Sequence, residues 1–147
     1  MSANYLEELS YKTGDVIFEE GDKGTDMFIL QEGKVAVFRK FADEEVLLAT
    51  LDRGDFFGEM ALLENLPRSA TCRALMATRL AAIRRGELLM KIRRDPTFAL
   101  EMLQHMSRRI RYLDEQLISL MERERVSREE LARVRAASEY PDKEHAA

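Results

Sequence analysis

Residues 56–71 read FFGEMALLENLPRSAT. Two aromatics and Gly58 lead straight into an acid, Glu59. A short apolar run, Met60 to Leu63, follows. Pro67 and a lone cation, Arg68, come next, then Ser69, Ala70 and Thr71. The pattern fits the end of a strand, a glycine turn and one short helical turn. A glycine there lets backbone approach another group closely. Free N–H groups at a helix start favour negative charge.

Those residue types suit a particular anion. Arg68 presents a planar fork of donors, and Ser69 adds a hydroxyl. Glu59 would repel a bare phosphate, but it can accept from a hydroxyl on the same ligand. A ribose hydroxyl next to a phosphate meets both demands, so the local chemistry points to a nucleotide. An ordinary Glu59–Arg68 ion pair flanking a loop is the plain alternative on these residues alone.

Outward from this stretch, two textures meet near Arg84. Six of the seven glycines lie between Gly14 and Gly58. VIFEEGDKGTDMFILQEGKVAVFRK reads as strand, turn, strand, turn, strand, with turns at Glu20-Gly21-Asp22 and Gln31-Glu32-Gly33. Lys34 to Lys40 alternates, with Val35 and Val37 on one side and Ala36 and Phe38 on the other. EVLLATL and TCRALMATRLAAI add β-like runs. Short strands at this spacing predict a small antiparallel barrel or sandwich.

The remainder reads as helix. GELLMKIRRD is a short amphipathic helix, and Asp95-Pro96 opens another. No glycine or proline occurs from Thr97 to Ala137. Ala99, Leu103, Met106, Ile110, Leu113, Leu117 and Leu120 alternate steps of four and three, a heptad seam. Phe98 and Met102 are expected to pack the first turns on the chain's own strands. The seam predicts a homodimeric coiled coil. It fails at Glu124 and Ser127 and resumes at Leu131 and Val134. ERERVSREELARVRAA is therefore a frayed continuation, a separate short helix or a partner-binding segment, and SEYPDKEHAA is expected to be disordered.

Composition removes several classes. The chain has 147 residues and net charge -4, which argues against non-specific nucleic-acid binding. The one cysteine, Cys72, reads as a buried reduced thiol. No apolar run reaches the roughly 18 residues of a membrane span. MSANYLEELSYKTGD lacks a signal-peptide pattern, so cytoplasm is the expected compartment. His105 and His145 are isolated, and no metal-spaced cluster or nucleophilic triad is present, so no enzyme, metal or cofactor is expected.

FGEMALL followed by PRSAT resembles the phosphate-binding cassette of the cyclic nucleotide-binding domain family. That family includes catabolite activator proteins, kinase regulatory subunits and nucleotide-gated channels. FEEGDKGTDMFILQEGKVAVF is similar to its glycine-punctuated β-roll, and DPTFALEMLQHMSRRI to the start of its C-helix. The resemblance covers roughly residues 5 to 120. It implies a mainly β fold with α: an antiparallel β-roll or jelly-roll, a short helix and a long dimerisation helix. The implied domains are 1–95, 96–121 for the C-helix and 122–147 for a charged helical extension and tail.

The resemblance also implies roles. Gly58, Glu59 and Met60 hold the ribose. Arg68 and Ser69 hold the cyclic phosphate, assisted by backbone amides near Ala61, Leu62 and Ala70. Arg109 of the C-helix approaches the ribose-binding acid. Leu113 and Asp114 fall where bacterial activators use a Thr-Ser pair to read adenine, so cyclic AMP and cyclic GMP both stay open, with cyclic AMP favoured by family frequency. The activators' helix-turn-helix domain has no counterpart in the residues after the seam. The expectation is a stand-alone cyclic nucleotide sensor acting on an effector protein. A dimeric scaffold with a vestigial pocket is the alternative, and a truncated DNA-binding regulator a weaker one.

Overall fold

The structure, a computed structural model, describes residues 6–124 and 127–137, without the side chains of Val134, Arg135 and Ala137. His145 and the segment SEYPDKEHAA lie outside the described residues. The chain divides into two units, Met1–Leu103 and Gln104–Ala147.

In the first unit, β-branched and aromatic runs between turns form eight strands. These are β1 (Glu7–Tyr11), β2 (Val16–Phe18), β3 (Met27–Glu32), β4 (Val35–Phe41), β5 (Glu44–Leu51), β6 (Phe56–Phe57), β7 (Thr71–Ala74) and β8 (Thr78–Ile83). They build two four-stranded antiparallel sheets, ordered β1-β8-β3-β6 and β2-β7-β4-β5. The architecture is an antiparallel β-roll followed by helices. Phe28, Leu30 and Leu80 of one sheet meet Val35, Leu51 and Cys72 of the other in the core. Burying these side chains contributes about 1.5–3 kcal/mol for each large one. Cys72 is a buried free thiol.

Two sequence expectations need correction. Gln31 and Glu32 are not turn residues. β3 continues through Glu32, which pairs with Arg79 after a register shift, and the turn is made by Gly33 and Lys34. The even alternation expected along β4 also fails, because Val35 and Ala36 are both fully buried. β4 lies inside its sheet, between β7 and β5, and its register shifts between Val37 and Phe38.

Helix α1 (Glu59–Glu64) interrupts the strands, and α2 (Arg85–Arg94) follows β8. Helix α3 runs Pro96–Arg123; Phe98 and Met102 in its first turns are buried, as expected. Ser127 starts a separate short helix, α4 (Arg128–Ala137). The Ser127 and Glu130 side chains cap each other's backbone N–H at 3.2 and 2.9 Å, a reciprocal capping box. That capping signal lies where the heptad seam breaks, and it gives α4 a start of its own.

Candidate functional site

Strand β6 has only two residues because Gly58 turns the chain, with φ 80° and ψ 5°. Phe56 and Phe57 pair with Ile29 and Phe28 of β3, which anchors the turn on the sheet. Helix α1 starts at once with Glu59. Its N-cap is glycine and supplies no side-chain acceptor. First-turn amides of such a helix lack intrahelical partners and are suited to an anion. The helix stops at Asn65, which adopts a left-handed conformation (φ 56°) and donates its N–H to the Ala61 carbonyl at 3.1 Å. Pro67 then prevents helix from resuming.

The chain next lays Arg68 against the β2–β3 loop. The Arg68 N–H donates to the Asp22 carbonyl at 2.9 Å, and the Gly21 N–H donates to the Arg68 carbonyl at 2.8 Å. This pair of bonds fixes the backbone from which the side chain projects. Arg68 as a whole residue is only 6% exposed. One nitrogen donates to the Gly58 carbonyl at 3.2 Å, and its central carbon lies 4.2 Å from the Phe18 ring and 5.7 Å from that of Phe28. Phe18, Phe28 and Phe57 form one aromatic cluster with centroids 5.4–6.0 Å apart.

Burial pushes the Arg68 pKa below its ordinary value, and the charge of Asp26, with smaller contributions from Cys72 and Asp22, opposes that shift. An arginine still keeps its proton under such conditions. The site therefore holds a partly desolvated cation. Its fork carries five N–H donors, and the Gly58 carbonyl accepts from one of them.

Of the residues singled out in the cassette, Gly58 contacts this cation directly. Glu59 is 5% exposed at the head of α1. Ala61, Leu62 and Ala70 are buried, while Met60 and Ser69 are exposed. The Ser69 hydroxyl lies 3.8 Å from the Met60 sulfur, a weak acceptor, so it can turn to a stronger one. A buried acid and a buried arginine at opposite ends of one turn can address a hydroxyl and an anionic group of the same ligand. Arg109, Leu113 and Asp114 sit on α3 in the second unit, with exposed side chains.

Sequence reasoning missed several participants. Gly24, in the β2–β3 loop, faces the guanidinium so closely that a Cβ there would lie 2.8 Å from one terminal nitrogen. Asp26 and the Phe18 ring belong to the same neighbourhood. Arg85, the first residue of α2, reaches back to α1, its side chain donating to the Leu62 carbonyl at 3.2 Å. The available signal was the second glycine of EEGDKGTD. Close approach of another group is a common reason for such a glycine.

Comparison with known proteins agrees with this fold. The family model described as the cyclic nucleotide-binding domain matches residues 8–95, which include the whole cassette. The chain belongs to that family. The cyclic AMP receptor protein of Thermus thermophilus is 36% identical over 118 residues, covering 80% of this chain and 55% of that protein. A crystal structure of Thermus thermophilus catabolite activator protein aligns with TM-score 0.71 and 38% identity, covering 79% of this chain and 55% of the other. A cAMP-dependent protein kinase regulatory subunit of Mycosarcoma maydis is 40% identical over 79 residues, which is 54% of this chain and 15% of that subunit. The chain thus spans about half the length of the bacterial relative. The matched family is a binding domain, and the relatives are a receptor and a regulatory subunit. Among the described residues, no cluster of His, Cys, Asp and Glu could hold a metal, and no helix is long and apolar enough to cross a membrane.

Proposed function

We propose that this protein is a cyclic nucleotide sensor whose ligand is cyclic AMP, bound by its phosphate on Arg68 and its ribose on Glu59. The observation that carries this reading is buried Arg68, its guanidinium held against the Gly58 carbonyl at the head of α1. Burying a charge away from water is costly unless something pairs with it. A singly charged cyclic phosphate matches one arginine. The first-turn amides of α1, the Ser69 hydroxyl and the Ala70 amide complete the phosphate contacts, and Gly58 and Met60 flank the ribose. The names of the bacterial and fungal relatives support cyclic AMP over cyclic GMP. Asp114, with Arg109 and Leu113, is assigned to the base or the lid on family resemblance.

Output runs through α2 and the C-helix to an effector protein. The C-helix dimerises through Ala99, Leu103, Met106, Ile110, Leu113, Leu117 and Leu120. Exposure of Leu103, Ile110, Leu113, Leu117 and Leu120 supports an apolar seam that a partner helix covers. A scaffold role with a dead pocket is disfavoured by the intact Glu59, Arg68 and Ser69 set. Calorimetric titration with cyclic AMP and cyclic GMP tests the reading. Arg68→Ala is expected to weaken binding by roughly 10- to 150-fold, the equivalent of about 1.5–3 kcal/mol for charge-assisted bonds. Absence of binding heat with either nucleotide in the wild-type chain would overturn it.

A further inference from the structure

Helix α1 is short, and its last turn carries no basic residue to meet its carbonyl end. A cation near that end is favoured by the helix dipole and by the orphan carbonyls. Arg85 supplies it from another element. Its Nε donates to the Leu62 carbonyl at 3.2 Å, and one terminal nitrogen donates to the Asn65 side-chain oxygen at 3.1 Å and to the Ala61 carbonyl at 3.5 Å. One rigid fork thus engages three acceptors at the end of the cassette helix. The same residue is the first of α2, whose start is fixed by the Arg84 N–H donating to Glu87 at 2.9 Å. Because the fork is planar, displacing α1 lengthens several bonds at once unless Arg85 moves with it.

We propose that Arg85 is the positioning residue that makes the cassette and α2 move together, so that ligand capture at the head of α1 is transmitted from its tail to α2. This rests on the nucleotide-sensor reading above. The test uses the full chain, with cyclic AMP as probe. Amide hydrogen exchange across Arg85–Arg94 is measured with and without saturating nucleotide, alongside calorimetry. In the wild type, exchange in α2 is expected to change on binding. Arg85→Ala is expected to keep its affinity within about tenfold, since its bonds lie outside the ligand contacts and each contributes modestly. Its α2 response is expected to be lost.

Arg85→Lys keeps the charge but not the fork, and is expected to restore part of the response. Asn65→Gly keeps the left-handed backbone without strain and removes one acceptor, so it should fall between wild type and Arg85→Ala. A full α2 response in Arg85→Ala at saturating nucleotide overturns the proposal. If that variant does not fold, a full response in both Arg85→Lys and Asn65→Gly overturns it equally. Unchanged α2 exchange in the nucleotide-bound wild type also overturns it, with the route of output through α2, and leaves the nucleotide-binding reading standing. Failure of the wild type to bind cyclic AMP removes both.

Discussion

Replacing Gly24 by alanine adds one methyl group beside the guanidinium of Arg68. Built on the existing backbone, that carbon lies 2.8 Å from one terminal nitrogen, 2.9 Å from Nε and 3.1 Å from the central carbon. The shortest of these falls about 0.6 Å inside the 3.4 Å at which ordinary contact begins. Gly24 does not use a left-handed backbone, so alanine fits its dihedral angles. The atoms that must give way are the end of an arginine side chain. The hydrogen bond to the Gly58 carbonyl is already 3.2 Å long, and a displacement of this size breaks it. The fork then no longer faces the cassette. Loss of its charge-assisted bonds to phosphate corresponds to about 1.5–3 kcal/mol, or roughly 10- to 150-fold in affinity. Folding stability is expected to change by less than about 1 kcal/mol, because the methyl group also restricts the unfolded chain. Titration calorimetry with cyclic AMP and thermal denaturation measure the two quantities side by side. Gly86→Ala is the control, since nothing lies within 4 Å of its added carbon. Cyclic AMP affinity of Gly24→Ala within about twofold of wild type would refute the reasoning, because Arg68 would then not depend on the space that Gly24 leaves.

Gly58→Ala should behave differently. Its backbone is left-handed at φ +80°, and the added carbon would meet the Asp26 carbonyl at 3.0 Å as well as Arg68 at 2.7 Å. Backbone strain of about 1–2 kcal/mol is expected on top of the lost affinity, read by urea denaturation and calorimetry together. On the C-helix, Ile110→Glu combined with Leu117→Glu places charge on two exposed seam positions. Sedimentation velocity should show a dimer in the wild type and a monomer in the variant, with the β-roll's thermal transition retained. A monomeric wild type would remove the coiled-coil reading.

Much of the candidate site was legible because its residues are contiguous. Gly58, Glu59, Arg68, Ser69 and Ala70 lie in one stretch, and the demands of a hydroxyl and a phosphate can be read from residue types at short spacing. The burial of Phe98 and Met102 followed equally from helical period. The antiparallel β class of the first unit followed from short runs between glycines, but its strand count and registers did not. The extension of β3 through Glu32 and the burial of Ala36 depend on which strands lie alongside, and a local pattern does not encode its neighbour.

The sequence by itself therefore determined the family, through its cassette, and the succession of β-roll and helices, since both rest on local pattern. Only the tertiary structure decided how the arginine is held. Gly24 leaves it space, Phe18 covers it and the Gly58 carbonyl accepts from it, and these groups come from separate segments of the chain. The link from Arg85 to the tail of α1 has the same origin. Packing brings distant residues to contact distance, and the direction in which an arginine points is set by that packing and not by its neighbours along the chain.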